Sequence, residues 1–239
     1  MSAVLTIARR ELSSYFRSPS GWIIIALFLF LTGMVFGRFV LVPGRAASLR
    51  DFFAVSGWLL LPVVPAISMR LLADEIRSGS LESLLTAPVG GAGIVLGKYL
   101  GAMLFFIAML APTGVYIIIL ERTSTIPIDL GPVIAGYLCL VLTGGLYLAI
   151  GTLASSLTGN ATLAFLVTLF IVLGLMLASA AAEFVPPWAR QAFHAVSLPD
   201  RTSDFAKGVI DSAHVVFFVT VSGWSLIVAA GVTEWRRWR

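Results

Sequence analysis

Catalytic nucleophiles, metal-ligand sets and phosphate loops carry chemistry most directly, and this chain holds few of their parts. It has two histidines and one cysteine. His194 and His214 stand far apart in sequence, and Cys139 falls inside an apolar run, so no zinc-ligand spacing exists. No serine sits in a G-x-S-x-G elbow. The stretch Gly90-Gly91-Ala92-Gly93-Ile94-Val95-Leu96-Gly97-Lys98 has the look of a phosphate loop but lacks its parts. Ala92 stands where G-x-x-x-x-G-K needs its first glycine, and Tyr99 replaces the Ser/Thr that would hold magnesium. Leu96 likewise replaces the last glycine of G-x-G-x-x-G. The residues therefore predict no catalytic, cofactor-binding or metal site in this chain. Gly93, Gly97 and Gly101 recur every four positions, the pattern of a flat stripe for close helix packing.

The charged residues gather elsewhere, in the segment 70–88. Asp74, Glu75 and Arg77 precede Ser78-Gly79, a break in the chain. Ser80 can serve as an N-cap, and Glu82 in the first turn suits the positive end of a helix dipole. Leu81, Leu84 and Leu85 then fall on one face, and Pro88 stops the run. A short amphipathic helix is predicted over 80–86. Such a helix is also what an ordinary half-buried connector would form.

The elements that position this segment are membrane spans. Of 239 residues, 59% are hydrophobic and 12% charged, with a mean hydropathy of +0.98. Soluble domains carry about 25% charged residues. The composition excludes a secreted disulfide scaffold, a disordered chain and an ordinary cytosolic enzyme. A net charge of +4 reads as loop charge beside a bilayer, with no nucleic-acid partner implied. Six apolar runs, 21–42, 52–72, 94–120, 130–157, 161–182 and 215–233, approach the ~20 residues that cross ~30 Å of hydrocarbon. Their apolar residues fill all sides, without strand alternation, so the predicted fold is all-α, a polytopic membrane protein forming one domain over 1–239. Pro62, Pro65, Pro112 and Pro132 lie within or at the ends of these runs. The first run is too long for a signal-peptide core and no cleavage site follows it.

Residues 2–17 precede the first span. Val4, Ala8, Leu12 and Tyr15 recur at helical spacing, with Arg9, Arg10, Glu11, Ser13, Ser14 and Arg17 on the other side. The pattern predicts an interfacial helix in the headgroup plane. Between the last two spans, 183–214 is the longest loop, with Trp188, Ala192, Phe193 and Val196, then Phe205 and Val209, at helical spacing. Two short half-embedded helices are expected there, with His194 and His214 solvated. With both termini placed in the cytoplasm, the 16 lysines and arginines divide nine inside and seven outside. Arginine clusters beside the first and last spans sharpen this to both termini inside. Arg38, Arg70 and Lys98 lie near span ends and are expected to snorkel. No acidic or histidine group stands at depth in the last three spans, which argues against a proton- or ion-coupled carrier. Thr32, Ser56, Ser68, Thr113, Thr143 and Thr168 are the sparse hydroxyls available to line a solute path.

The segment 74–98 resembles the signature of ABC-2-type permeases, approximately acidic-Glu-basic-x-Gly-Thr-x-Glu-x-Leu-Leu-x-x-Pro followed by glycine-lysine. Asp74, Glu75, Arg77, Gly79, Glu82, Leu84, Leu85, Pro88, Gly97 and Lys98 match, and Ser80 stands where the family usually has threonine. The segment 204–211, Asp-Phe-Ala-Lys-Gly-Val-Ile-Asp, is similar to that of the gliding-motility and nitrous-oxide-reductase-accessory branch. The resemblance implies a multi-pass protein of the bacterial inner membrane, with 80–86 as a coupling helix docked on a separate ABC ATP-binding subunit. Leu81, Leu84 and Leu85 would supply apolar contact there, and Asp74, Glu75, Arg77 and Glu82 the register. ATP and magnesium would belong to that partner, not to this chain. A second permease copy or a homologue would complete a dimer. Two functions are compatible: export of a substrate, or transmission of the ATPase stroke to an outer accessory protein with nothing crossing.

Overall fold

In hydrocarbon every backbone N–H and C=O must find its partner inside the protein, and a helix does this within one segment. The computed structural model describes residues 3–41, 48–80, 90–124 and 129–236, and among them it contains helices and no strand. Helix α1 is Ala3–Arg17, α2 Pro19–Val35, α3 Arg50–Ser68 and α4 Ala73–Ser78. Helix α5 is Gly91–Leu110, α6 Val115–Thr123, α7 Leu130–Leu157 and α8 Ala161–Ala181. Helices α9 (Pro187–Val196) and α10 (Leu198–Ala206) precede α11, Ser212–Arg236. Among the described residues six segments are long and apolar enough to span a membrane: Pro19–Val40, Arg50–Ser78, Gly91–Thr123, Leu130–Leu157, Ala161–Phe184 and Ser212–Arg236. The protein is an all-α, polytopic membrane protein.

Helix α7 is the axis of the bundle, with α3, α5, α8 and α11 packed around it. Its glycines make this possible. A Cβ at Gly136 would enter the ring of Phe53, one at Gly144 the ring of Phe106, and one at Gly151 the side chain of Ser68. Phe53, Phe106 and Ser68 are all buried. Neighbouring side chains, two of them phenylalanine rings, thus seat on bare backbone at three levels of one helix, the close approach that small residues permit in membranes.

Two spans are interrupted. The run expected over 52–72 stops being helical at Ser68, turns through 69–72 and resumes as α4. Ser155 of α7 holds this break. Its Oγ accepts from the N–H of Leu72 and of Ala73, both at 2.9 Å, and donates to the carbonyl of Met69 at 3.1 Å. Three backbone groups that the turn would strand are satisfied by one hydroxyl. In the third span a 3₁₀ turn at Ala111–Gly114, carrying Pro112, separates α5 from α6. Helix α4 ends at Gly79, whose φ of 71° is the left-handed conformation that glycine adopts without steric cost.

The ends of α1, α3–α4, α5, α7 and α11 meet at one end of the bundle. There Gly91 N–H donates to Glu234 at 2.7 Å, and Arg236 donates to the carbonyl of Leu157 at 3.2 Å. Helices α9 and α10 lie at the opposite end, inside the expected loop 183–214. Leu198 and Phe205 of α10 are fully buried, while α9 buries no residue and exposes Trp188. Gly208, φ 85°, turns the chain from α10 toward α11.

Candidate functional site

The predicted coupling segment begins at α4. Asp74, Arg77, Gly79 and Ser80 are exposed, and the hydroxyls of Ser78 and Ser80 lie 2.9 Å apart. Leu81, Glu82, Leu84, Leu85 and Pro88, with the rest of the helix expected over 80–86, lie outside the described residues. What the structure does describe is how the head of this connector is anchored.

Glu75 turns inward. Its Oε1 lies 2.9 Å from Nζ of Lys98 on α5 and 3.5 Å from Arg10 of α1. Lys98 also reaches Glu11 of α1 at 3.1 Å. The Lys98 side chain is only 4% exposed, against 14% for Glu75 and 16% for Glu11. Lys98 therefore does not snorkel as expected; α1 covers it, and two carboxylates compensate its buried charge. Glu11, expected on the polar side of α1, faces inward for the same reason. Glu75 Oε2 is buried and has no hydrogen-bond partner among the described residues.

The glycine stripe explains how α1 comes so close. A Cβ at Gly97 would meet Ile7 at 2.8 Å, and one at Gly101 would meet Glu11 Cβ at 2.6 Å and the Ala8 carbonyl at 2.8 Å. Gly93 is only half-buried. Gly91, earlier on the same helix, is a further close approach, where a Cβ would meet Glu234 at 2.8 Å. Tyr15 fastens the far end of α1: its hydroxyl donates to the carbonyl of Ile67 at 2.7 Å and its ring stacks on Phe105 at 4.5 Å. Burial, helped by the charge of Glu11, pushes the Tyr15 phenol well above its ordinary range. Helix α1 thus lies along α5, is tied by the Tyr15 hydroxyl to the end of α3, and fully buries only Ala8. Leu5 and Phe16 remain outward-facing.

At the opposite end the histidines are paired. His194 lies 2.9 Å from Asp200, and His214, whose side chain is 17% exposed, lies 3.1 Å from Asp204. The hydrogen bond with His214, then that from Lys207, holds the Asp204 carboxyl below its usual range. The guanidinium of Arg201 stacks 3.8 Å above Phe217 and donates to the carbonyl of Ala195. Desolvation lowers its pKa. These contacts clamp α10 between α9 and α11. Among the described residues no group of three or more His, Cys, Asp or Glu is placed to hold a metal ion.

Of the six hydroxyls expected as lining for a solute path, four are spent locally. Thr32 donates to Phe28, Ser68 to Val64, Thr113 to Leu110 and Thr168 to Ala164, all carbonyls of their own turn. Thr143 is buried beside Cys139, and Ser56 Oγ is buried without a partner among the described residues. Sequence reading missed Ser155, Gly136, Gly144 and Gly151; only their spacing along one helix hinted at a packing role.

Against known families, the chain matches the one described as ABC-2 family transporter protein over residues 5–197. No curated protein matches it.

Proposed function

Because the chain belongs to the ABC-2 family of transporter proteins, a permease subunit of an ABC transporter, we propose that it works as a dimer that exports a substrate, driven by ATP hydrolysis in separate subunits. The chain sits in the bacterial inner membrane with both termini cytoplasmic, which puts α4 and the connector 81–89 on the side where ATP is found. The observation that carries this reading is the ion cluster of Arg10, Glu11, Glu75 and Lys98. It ties α1, α4 and α5 into one body at the two ends of the connector. A push on the connector by a closing ATPase pair moves α3, α5 and α1 together, a rigid-body switch needing no chain of side-chain rearrangements. Asp74, Arg77 and Ser80 are exposed on that body and set the register of docking, while Leu81, Leu84 and Leu85 supply the apolar contact.

A second reading, transmission of the stroke to an outer accessory protein, is favoured by Thr32, Ser68, Thr113 and Thr168, whose hydroxyls donate to carbonyls of their own helices and not to a solute. The likeness of 204–211 to the gliding-motility and nitrous-oxide-reductase-accessory branch supports it too.

The test is association and coupled turnover. Glu82→Lys reverses a charge, and Leu84→Asp places one, on the segment proposed to dock. Like charges or an unpaired charge in a desolvated contact cost several kcal/mol. Both variants are expected to insert and purify normally but to lose co-purification with the ATP-binding subunit and the ATP turnover of the reconstituted pair. Normal association and turnover in both would remove the docking assignment.

A further inference from the structure

A cavity of about 260 Å³ opens in the flank of the bundle, between α3, α7 and α10. Its inner wall is Phe53, Leu140, Met176 and Phe205, all buried. Its mouth lies between Trp58 of α3, 47% exposed, and Ser203 of α10. Among the described residues no aspartate, glutamate, lysine, arginine or histidine lines it. Along α7 the lining runs from Gly136 to Thr143, about 10 Å at the rise of a helix. The cavity therefore descends from the end of the bundle capped by α10 toward mid-span. Gly57 also lines it, and a Cβ built there meets nothing within 4 Å, so the space is open.

The occupant follows from polarity and place. Hydroxyls lie at the α10 end, where Thr202 and Ser203 donate to the carbonyls of Pro199 and Asp200. Both hydroxyl protons are thus committed within α10 and give no donor to a charged headgroup, so what the cavity can take in is an apolar chain. Below them the walls are apolar down to Thr143, whose hydroxyl lies beside the Cys139 sulfur at 3.9 Å. The volume is near the lower end of small-molecule sites, about 300–1,000 Å³. An apolar void in a protein interior stays dry, but one that opens through the side of a membrane-spanning bundle is continuous with the hydrocarbon of the bilayer. We propose that this cavity is a lateral site for one acyl chain of a bilayer lipid, entering between Trp58 and Ser203 with its polar end at α10 and its tail toward Thr143.

The experiment uses the full chain in membranes containing a phosphatidylcholine with a photoactivatable diazirine in its acyl chain, with adducts mapped by peptide mass spectrometry. Adducts are expected on the cavity stretches of α3 and α7. Gly57→Phe, which fills open space, is expected to lower them at least tenfold. Adducts near Phe170 of α8 and Trp224 of α11, exposed on the outside of the bundle, stay unchanged and report a folded, inserted chain. If Gly57→Phe is not recovered, Ala54→Leu at the mouth takes its place. Labelling of the Phe170 and Trp224 faces without adducts in the cavity overturns the proposal. So do cavity adducts that Gly57→Phe leaves unchanged. No ATP-binding subunit is needed, so failure here leaves the coupling reading intact, and failure of coupling leaves this site intact.

Discussion

Lys98 is the residue on which the connector's anchorage depends. A buried ammonium is tolerated only when carboxylates replace its water, and here Glu11 and Glu75 do so at 3.1 and 2.9 Å. Breaking such a group by removing one member costs about 3–5 kcal/mol, because the remaining charges stay buried and unpaired. Lys98→Met is therefore expected to loosen α1 and α4 together, seen as faster hydrogen exchange in both helices and a lower melting temperature. Neutralising all three, with Glu11→Gln and Glu75→Gln added, is expected to recover most of the loss. If Lys98→Met leaves exchange in α1 unchanged, the cluster is not what holds it. Glu75 and Lys98 were legible in the sequence as motif residues, but their pairing was not. Glu11 is 87 positions from Lys98, and by its own helix's pattern it belongs to the polar side. Only the docking of α1 on Gly97 and Gly101 makes that side an inner one. The same holds at the other end, where His214 reads as a surface residue until α10 folds against it.

Among the elements, α7 and the break in the second span show what hydropathy reveals and what it conceals. Length and apolar content locate a span because crossing hydrocarbon requires both. They do not locate the turn at 69–72, since Leu71 and Leu72 continue the apolar run and are themselves fully packed. The turn exists because Ser155 supplies an acceptor to two N–H groups at once and a donor to Met69. No local signal in either segment announces a partner more than eighty positions away. Ser155→Ala removes that acceptor and leaves two buried donors unsatisfied, at about 1–3 kcal/mol each. The expected outcome is a lower melting temperature with exchange at Leu72 and Ala73 faster than in the parent. Ser156→Ala is the control, because Ser156 Oγ only donates to the carbonyl of Leu153 in its own helix and its loss costs little. Equal effects from the two substitutions would show that Ser155 does not hold the break.

For the whole molecule the decisive property is which end faces the cytoplasm, since a connector can meet an ATP-binding subunit only there. Six spans return the chain to the side from which it started, and the described ends agree. Arg236 at the end of α11 bonds to Leu157 at the end of α7, and Gly91 at the start of α5 bonds to Glu234. Arg9, Arg10, Arg17, Arg70 and Arg77 stand on the elements of that same end, and the proposed orientation puts them in the cytoplasm, where basic residues are favoured. Cysteine accessibility tests the orientation directly. Ala3 on α1 and Ala192 on α9 are both exposed and lie at opposite ends of the bundle. The native thiol, Cys139, is buried within α7 and gives a quiet background to a membrane-impermeant reagent. In intact cells Ala192→Cys is expected to label with impermeant maleimide and Ala3→Cys to stay unlabelled until the membrane is opened. The reverse pattern would put α4 and its ion cluster outside, beyond the reach of ATP. The coupling role of Glu75 and Lys98 would then fall, while the cluster's part in packing α1 on α5 would stand.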